Sequence, residues 1–349
     1  MRELTVSGSP FEIGFQHGSI AKKEVLGSLA FYTAYYERKA RMDWAAASKT
    51  AENFVSLLER DWPEFVEEMK GVGEGAGLPF LTVLAMNLRQ EISMGLEADG
   101  CTSFAWKTDD VSLLAQNWDW EEAQQINLIH LNIKRTSSKP SISMITEAGI
   151  IGKIGLNSSG VGVCINAIRA RGVNFTRLPV HLAVRAALDS SSRSKALAKL
   201  DKAGVASAVH LLIGDVTGST SVEYSNLDIV KFEMKNGQIA HSNHFIVPHA
   251  EGVKPASFSQ DSLERILRAR ELLAVAASET EKPPTIRMIE KMLEDEQGLP
   301  GAINRVATEK SPSSTLFGIV MDLKEKKASV RIGRPTECKG LVTLNPMAI

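Results

Sequence analysis

Ala98-Asp99-Gly100-Cys101-Thr102-Ser103 is the stretch around which the rest of the chain arranges itself. A cysteine directly after a glycine opens a strand-like run, whereas the chain before it reads mostly helical. A thiol in that setting can become the side chain of a new N-terminus. Once the Gly100-Cys101 bond is cut, the freed α-amine lies within one residue of the thiol. Ordinary values of about 7.7–8.0 for the amine and about 8.5 for the thiol suit proton exchange near neutral pH. Glycine at the preceding position leaves the scissile carbonyl unshielded and tolerates strained backbone. Free cysteine is also a common small buried apolar side chain, and its reactivity depends on exposure and thiol acidity, so the surrounding chain has to decide between the two readings.

Upstream, Ser9-Pro10-Phe11-Glu12 combines a cap serine, proline at the first helical position and glutamate three residues after the cap, which starts a helix. Phe11, Phe15, Ile20, Val25 and Leu29 fall near helical spacing and predict one apolar face. A second helix is expected over residues 43–59, and Asp61-Trp62-Pro63-Glu64 opens another. The alternating Gly71, Gly73, Gly75 and Gly77 lack the preceding strand and the following lysine-serine pair of a phosphate loop, and read as a helix end and turn. Leu78-Pro79 opens a last helix through Leu96, carrying Arg89 and Glu91.

Downstream the periodicity becomes that of strands, over residues 102–107, 111–118, 128–134, 141–146, 149–156 and 160–166, with Asn157-Ser158-Ser159-Gly160 as a hairpin turn. Helices return at 178–189 and 192–202, then strands at 210–214, 221–224, 229–234 and 238–241, the last two joined through Asn236-Gly237 as a tight hairpin. Helices at 259–277 and 285–293 precede a closing strand pair at 315–322 and 328–332 about the charged turn Lys324-Glu325-Lys326-Lys327. Strands apolar on more than alternate positions belong to sheets covered on both faces, so the order of elements predicts layers of sheet with helices outside.

With 40 basic and 41 acidic residues among 349, and no basic block interleaved with aromatics, nothing in the composition points to nucleic acid or an anionic membrane as a partner, and small-molecule chemistry is the expectation. Cys101, Cys164 and Cys338 are odd in number and lack metal-ligand spacing, which argues against a disulfide framework and a zinc site and fits a reducing compartment. No run approaches the ~18 apolar residues of a membrane span. Without an apolar signal core at Met1-Arg2-Glu3 or a peroxisomal address at Pro346-Met347-Ala348-Ile349, a cytoplasmic location is expected.

Seven motifs in order then carry a resemblance. They are Ser9-Pro10-Phe11-Glu12-Ile13-Gly14, Asp99-Gly100-Cys101-Thr102, Gln116-Asn117-Trp118-Asp119, Thr146-Glu147-Ala148-Gly149-Ile150-Ile151-Gly152-Lys153, Ser242-Asn243-His244, Thr315-Leu316-Phe317 and Gly333-Arg334-Pro335-Thr336. Over nearly its whole length the chain resembles the acyl-coenzyme A:6-aminopenicillanic acid acyltransferase family. These are N-terminal-nucleophile hydrolases, related more distantly to bile-salt and penicillin V hydrolases. The resemblance implies an α+β fold, the four-layer αββα sandwich. It also implies a precursor that cuts itself before Cys101 into a short chain of residues 1–100 and a long chain of residues 101–349 that stay together as one folded unit.

The same resemblance implies a role for each matching residue. Cys101 is the nucleophile twice, first against the Gly100 carbonyl and then against the acyl carbon of a substrate, forming a thioester, with its own α-amine as base and later acid. Asp119 matches the aspartate that holds amine and thiol; on its own it reads as an acid at a strand end. Asn243 matches the oxyanion donor, where losing one donor typically costs about 10²–10³ in rate; on its own it is a turn asparagine between His241 and His244. Ser103 matches a hydroxyl linked to self-cleavage, and otherwise reads as an exposed strand serine. His241 and His244 are three apart but lack a third ligand, so no metal and no cofactor is expected, acyl-coenzyme A entering only as an acyl donor.

One departure stands out. Family members often carry an arginine just before Thr-Leu-Phe, where this chain has Ser311-Pro312-Ser313-Ser314; Lys310 is the nearest basic residue, and Arg331 and Arg334 are candidates to replace it. The expected activity is transfer of an acyl group from a thioester or amide to an amine or to water. The alternatives are a pure N-acyl amide or thioester hydrolase, a non-catalytic binding protein that keeps the fold, and a papain-like enzyme with a histidine base, for which no local signature is present.

Overall fold

A computed structural model of the protein describes residues 1–93, 100–135, 138–256, 259–279 and 283–348. The N-terminal part comprises β1 (Arg2–Ser7), α1 (Pro10–Ile20), α2 (Lys22–Ala40), α3 (Trp44–Asp61), α4 (Pro63–Ala76), α5 (Phe80–Asn87) and α6 (Arg89–Ile92). The Ser9–Glu12 capping box forms as its spacing predicts, and Asp43 caps α3 by accepting from Ala46 N at 2.8 Å. The expected apolar face of α1 does not. Phe15 and Ile20 are exposed, and the buried face is Ile13, Gly14, His17 and Gly18.

The reason lies in the glycines, which are not a helix end. Gly71, Gly73 and Gly75 are inside α4, and only Gly77, at φ +76°, terminates it. A Cβ on Gly14 would sit 1.9 Å from Glu68 O, and one on Gly71 would sit 2.1 Å from Phe11 O; Gly18 and Gly75 repeat the pattern one turn on. Backbone packs directly on backbone, which displaces the larger side chains to the rim. The expected single helix through Leu96 is instead α5 and α6, broken at Leu88, and its end lies outside the described residues. Strand β1 was not legible in a segment that reads as helical. It pairs in parallel with a strand formed by residues 128–134, burying Leu4 and Val6.

The rest runs β2 (Thr102–Lys107), β3 (Ser112–Glu121), β4 (Leu128–Lys134), β5 (Ile142–Glu147), β6 (Ile154–Asn157), β7 (Gly162–Ala167), β8 (Ala170–Arg171), α7 (Val180–Leu188), α8 (Arg193–Ala203), β9 (Val209–Asp215), β10 (Gly218–Tyr224), β11 (Ile229–Glu233), β12 (Gln238–His241), β13 (Lys254–Pro255), α9 (Gln260–Glu279), α10 (Ile286–Leu293), β14 (Ser313–Asp322), β15 (Lys327–Ile332) and β16 (Gly340–Leu344). The last strand, β16, carries no clear signal in the sequence. One sheet has the order β1-β4-β5-β6-β7-β9-β10-β11 and the other β12-β2-β3-β14-β15-β16. Helices α7 and α8 cover the first and α9 and α10 the second, giving the α+β four-layer αββα sandwich.

The Asn236-Gly237 turn forms, with φ of 51° and 72° and paired bonds between Lys235 and Gln238, but it does not make a β11–β12 hairpin. The two strands diverge at once into different sheets, so the turn is a corner of the sandwich. A main core fills the space between the sheets and the N-terminal helices, and a second, around Phe104, Trp106, Ile266, Leu273 and Ile289, lies under α9 and α10. No helix among the described residues is long and apolar enough to cross a membrane.

Candidate active site

Strand pairing brings the expected site residues together. Thr102 on β2 pairs with Asn117 on β3, so Cys101 comes beside Asp119, and Asp119 pairs in turn with Thr315 on β14. Cys101 is completely buried. Its Sγ accepts from Asp119 N at 3.4 Å and points at Asp119 O at 3.7 Å. The Asp119 carboxylate is fully enclosed: Oδ1 accepts from Thr315 Oγ1 at 2.7 Å, and Oδ2 lies 3.4 Å from Arg305 Nε. It is therefore no surface acid at a strand end.

Gly100 is pressed into the same corner. A Cβ there would lie 1.9 Å from Arg305 Nε and 2.7 Å from Asp119 Oδ2. Only glycine fits while the carboxylate and guanidinium keep these positions.

Asn243 follows β12 by two residues. Its main-chain N donates to Ser262 Oγ at 2.9 Å, its Nδ2 donates to Ala167 O at 3.0 Å, and its Oδ1 accepts from Arg265 Nη2 at 3.0 Å. Arg265 Nη1 also donates to Cys101 O at 2.6 Å and to Thr102 Oγ1 at 2.9 Å. Ser103, read alone as an exposed strand serine, is fully buried and donates to Asn166 Oδ1 at 2.7 Å. Because Asn166 Nδ2 donates to Cys101 O at 3.1 Å, its Oδ1 is an acceptor for His210 as well, at 2.9 Å, which fixes the His210 proton on Nδ1. Burial, with His241 stacked 3.5 Å away, holds the His210 pKa well below the usual histidine value.

His241 and His244 do not converge. His241 donates from Nε2 to Glu223 at 2.6 Å, and His244 Nδ1 lies 2.8 Å from Ser262 Oγ. Trp118 and Trp120 face the other sheet, under Lys153 Nζ and the Arg89 guanidinium at 4.2 and 4.3 Å. Arg331 is engaged by Glu290 and Glu294, and Arg334 by Glu296 and Glu337. The basic group at Asp119 is Arg305.

Sequence reasoning missed Arg305, Arg265, Asp261 and Asn166. For α9 a signal existed: its buried stripe Ser262, Arg265, Ile266, Ala269 and Leu273 puts an arginine at an apolar spacing. For Arg305, in irregular chain ten residues before Thr315, none did.

The chain is similar to known proteins over most of its length. The family model for acyl-coenzyme A:6-aminopenicillanic acid acyl-transferase matches residues 106–337. The chain is 37% identical over 340 residues to the 40 kDa form of acyl-coenzyme A:6-aminopenicillanic-acid-acyltransferase of Emericella nidulans, covering 96% of this chain and 93% of that one. Its fold is similar to that of a variant of conjugated bile acid hydrolase from Clostridium perfringens. The TM-score is 0.51 at 15% identity, over 70% of this chain and 92% of that one.

Proposed function

The chain belongs to the acyl-coenzyme A:6-aminopenicillanic acid acyltransferase family, and from that premise we propose a self-processing cysteine N-terminal-nucleophile acyltransferase and amidohydrolase. As a member it is an enzyme that acts on amide or thioester bonds. The thiol of Cys101 adds to the Gly100 carbonyl, the amide nitrogen leaves as the α-amine of Cys101, and water releases residues 1–100 from the resulting thioester. That amine then takes the thiol proton as Cys101 adds to the acyl carbon of a thioester or amide donor, and it returns a proton to the leaving group.

Asp119, held by Thr315 and Arg305, orients the amine and thiol. Asn243 keeps one Nδ2 proton on Ala167 O and offers the other to the oxyanion. An amine or water completes the cycle, the donor and acceptor being small molecules. The observation that carries this reading is the contact of the Cys101 thiol with the main-chain N–H of Asp119, in a corner where Gly100 leaves no room for a side chain.

The test is the mass of the denatured protein, with N-terminal sequencing, beside Cys101→Ala. Self-processing divides the 38.0 kDa chain in the ratio 100 to 249 residues, about 11 and 27 kDa, with Cys-Thr-Ser opening the larger piece and the variant uncut. A wild-type chain still intact after long incubation with reductant overturns it.

A further inference from the structure

Resting on the reading that Cys101 becomes an N-terminal nucleophile, we propose that Arg265 is the positioning residue that keeps the new N-terminal residue and Asn243 in register once the Gly100-Cys101 bond is gone. Before the cut Cys101 is tethered on both sides. Afterwards it is held covalently through Thr102 alone, and holding its backbone in one conformation costs conformational entropy. Two groups grip its buried carbonyl, Asn166 Nδ2 at 3.1 Å and Arg265 Nη1 at 2.6 Å. The second is charge-assisted and the shorter.

Arg265 also reaches further. The same guanidinium donates to Thr102 Oγ1 and, from Nη2, to Asn243 Oδ1, so one rigid fork spans the nucleophile's residue, its neighbour and a residue from a different turn. Oδ1 held in this way turns the Asn243 amide nitrogen away from the guanidinium, toward Ala167 O and the site.

The fork is itself fixed. Arg265 is 2% exposed, Asp261 one turn earlier on α9 lies 3.9 Å from its Nε and also binds Arg305, and Ser262 receives Asn243 N. One face of α9 thus carries the supports of Asp119, Cys101 and Asn243. The contact is on the carbonyl of Cys101, across Cα from the bond that breaks, so without Arg265 cleavage proceeds and turnover slows.

The experiment compares Arg265→Lys and Arg265→Gln with their parent, all in a Cys338→Ser background that removes the exposed thiol. Cleavage is read by intact mass, folding by thermal melting, and acyl transfer to water by stopped-flow and steady-state kinetics with p-nitrophenyl acetate. All three proteins are expected to cut themselves. In Arg265→Gln, kcat falls by about 10²–10³, the scale of an oxyanion-donor loss, with KM within about three-fold. Arg265→Lys recovers part of the rate, because an ammonium restores the bond to Cys101 O without bridging to Asn243. If Arg265→Gln does not fold, a parent-like kcat in Arg265→Lys overturns the assignment. So does a parent-like kcat in Arg265→Gln, a loss confined to KM or melting temperature, or a folded variant that stays uncut. A parent that stays uncut removes the underlying reading and this assignment with it, whereas a cut parent with an unaffected variant removes the assignment alone.

Discussion

Glu91 closes α6 with a fully enclosed carboxyl group. Its Oε1 accepts from Val180 N at 2.9 Å and from Ser207 Oγ at 2.8 Å, while Oε2 has no partner among the described residues. Burial pushes its pKa up to about 7, and the two hydrogen bonds pull it back only in part. The folded state therefore keeps a proton that the unfolded chain has released, so stability falls as pH rises from about 4.5 to 7 and is level beyond. Glu91→Gln keeps both bonds to Oε1 and removes the charge. It is expected to raise stability by about 1–3 kcal/mol at pH 8 and to leave it unchanged at pH 4, read from urea midpoints at the two pH values. From the sequence Arg89 and Glu91 read only as helical charges, because nothing local announces that a charge is enclosed. Cys101, Asp119 and Asn243 stood out in the sequence because they sit in short motifs whose order survives in the linear chain.

Helices α1 and α4 show why a local rule can have the wrong sign. An exposed helix-interior glycine replaced by alanine gains up to about 1 kcal/mol. At Gly71 the added Cβ meets Phe11 O at 2.1 Å, backbone that moves only if the helices separate. Gly71→Ala is expected to destabilise by about 1–3 kcal/mol, as overpacking does, measured as a fall in the urea midpoint; a gain would mean the close approach is not maintained in solution. The same glycines read as a helix end because propensity describes a helix alone, without its neighbour. The β11–β12 turn makes the parallel point. Asn236-Gly237 fixes the turn, but sheet twist and the covering layers decide that its two arms belong to different sheets.

At the scale of the whole molecule, residues 1–93 are built into the sandwich. Strand β1 completes the eight-stranded sheet, Glu68 binds Arg185 at 2.7 Å, and Tyr32 and Arg89 converge on Glu147. Burial pushes the Glu147 carboxyl up, but Lys153 at 2.6 Å and then Arg89 outweigh it and hold its pKa at about 2. Its contribution is present above the unfolded value near 4.5 and is lost as pH falls toward 2. If the chain cuts itself as proposed, its two pieces are expected to elute together at pH 6 and to separate between pH 4.5 and 2 in size-exclusion runs. Glu147→Gln leaves Lys153 and Arg89 without their carboxylate, a loss of about 3–5 kcal/mol, and moves the separation to higher pH. Separation at one pH in both proteins would place the acid-sensitive contact elsewhere. By itself the sequence determined the change from helix to strand at Cys101, most helix starts, most strands of the two sheets and the short motifs holding Cys101, Asp119 and Asn243, which the fold brings to one corner, because caps, turn residues, periodicity and motifs act over a few residues. Only the tertiary structure decided that β1 is a strand, that α1 and α4 touch through glycine, and that Arg265 and Arg305, 164 residues from Cys101 and near the end of an irregular stretch, are the cations of the site. Those outcomes depend on which distant groups meet when the apolar faces are buried, and no short stretch of chain encodes such a meeting.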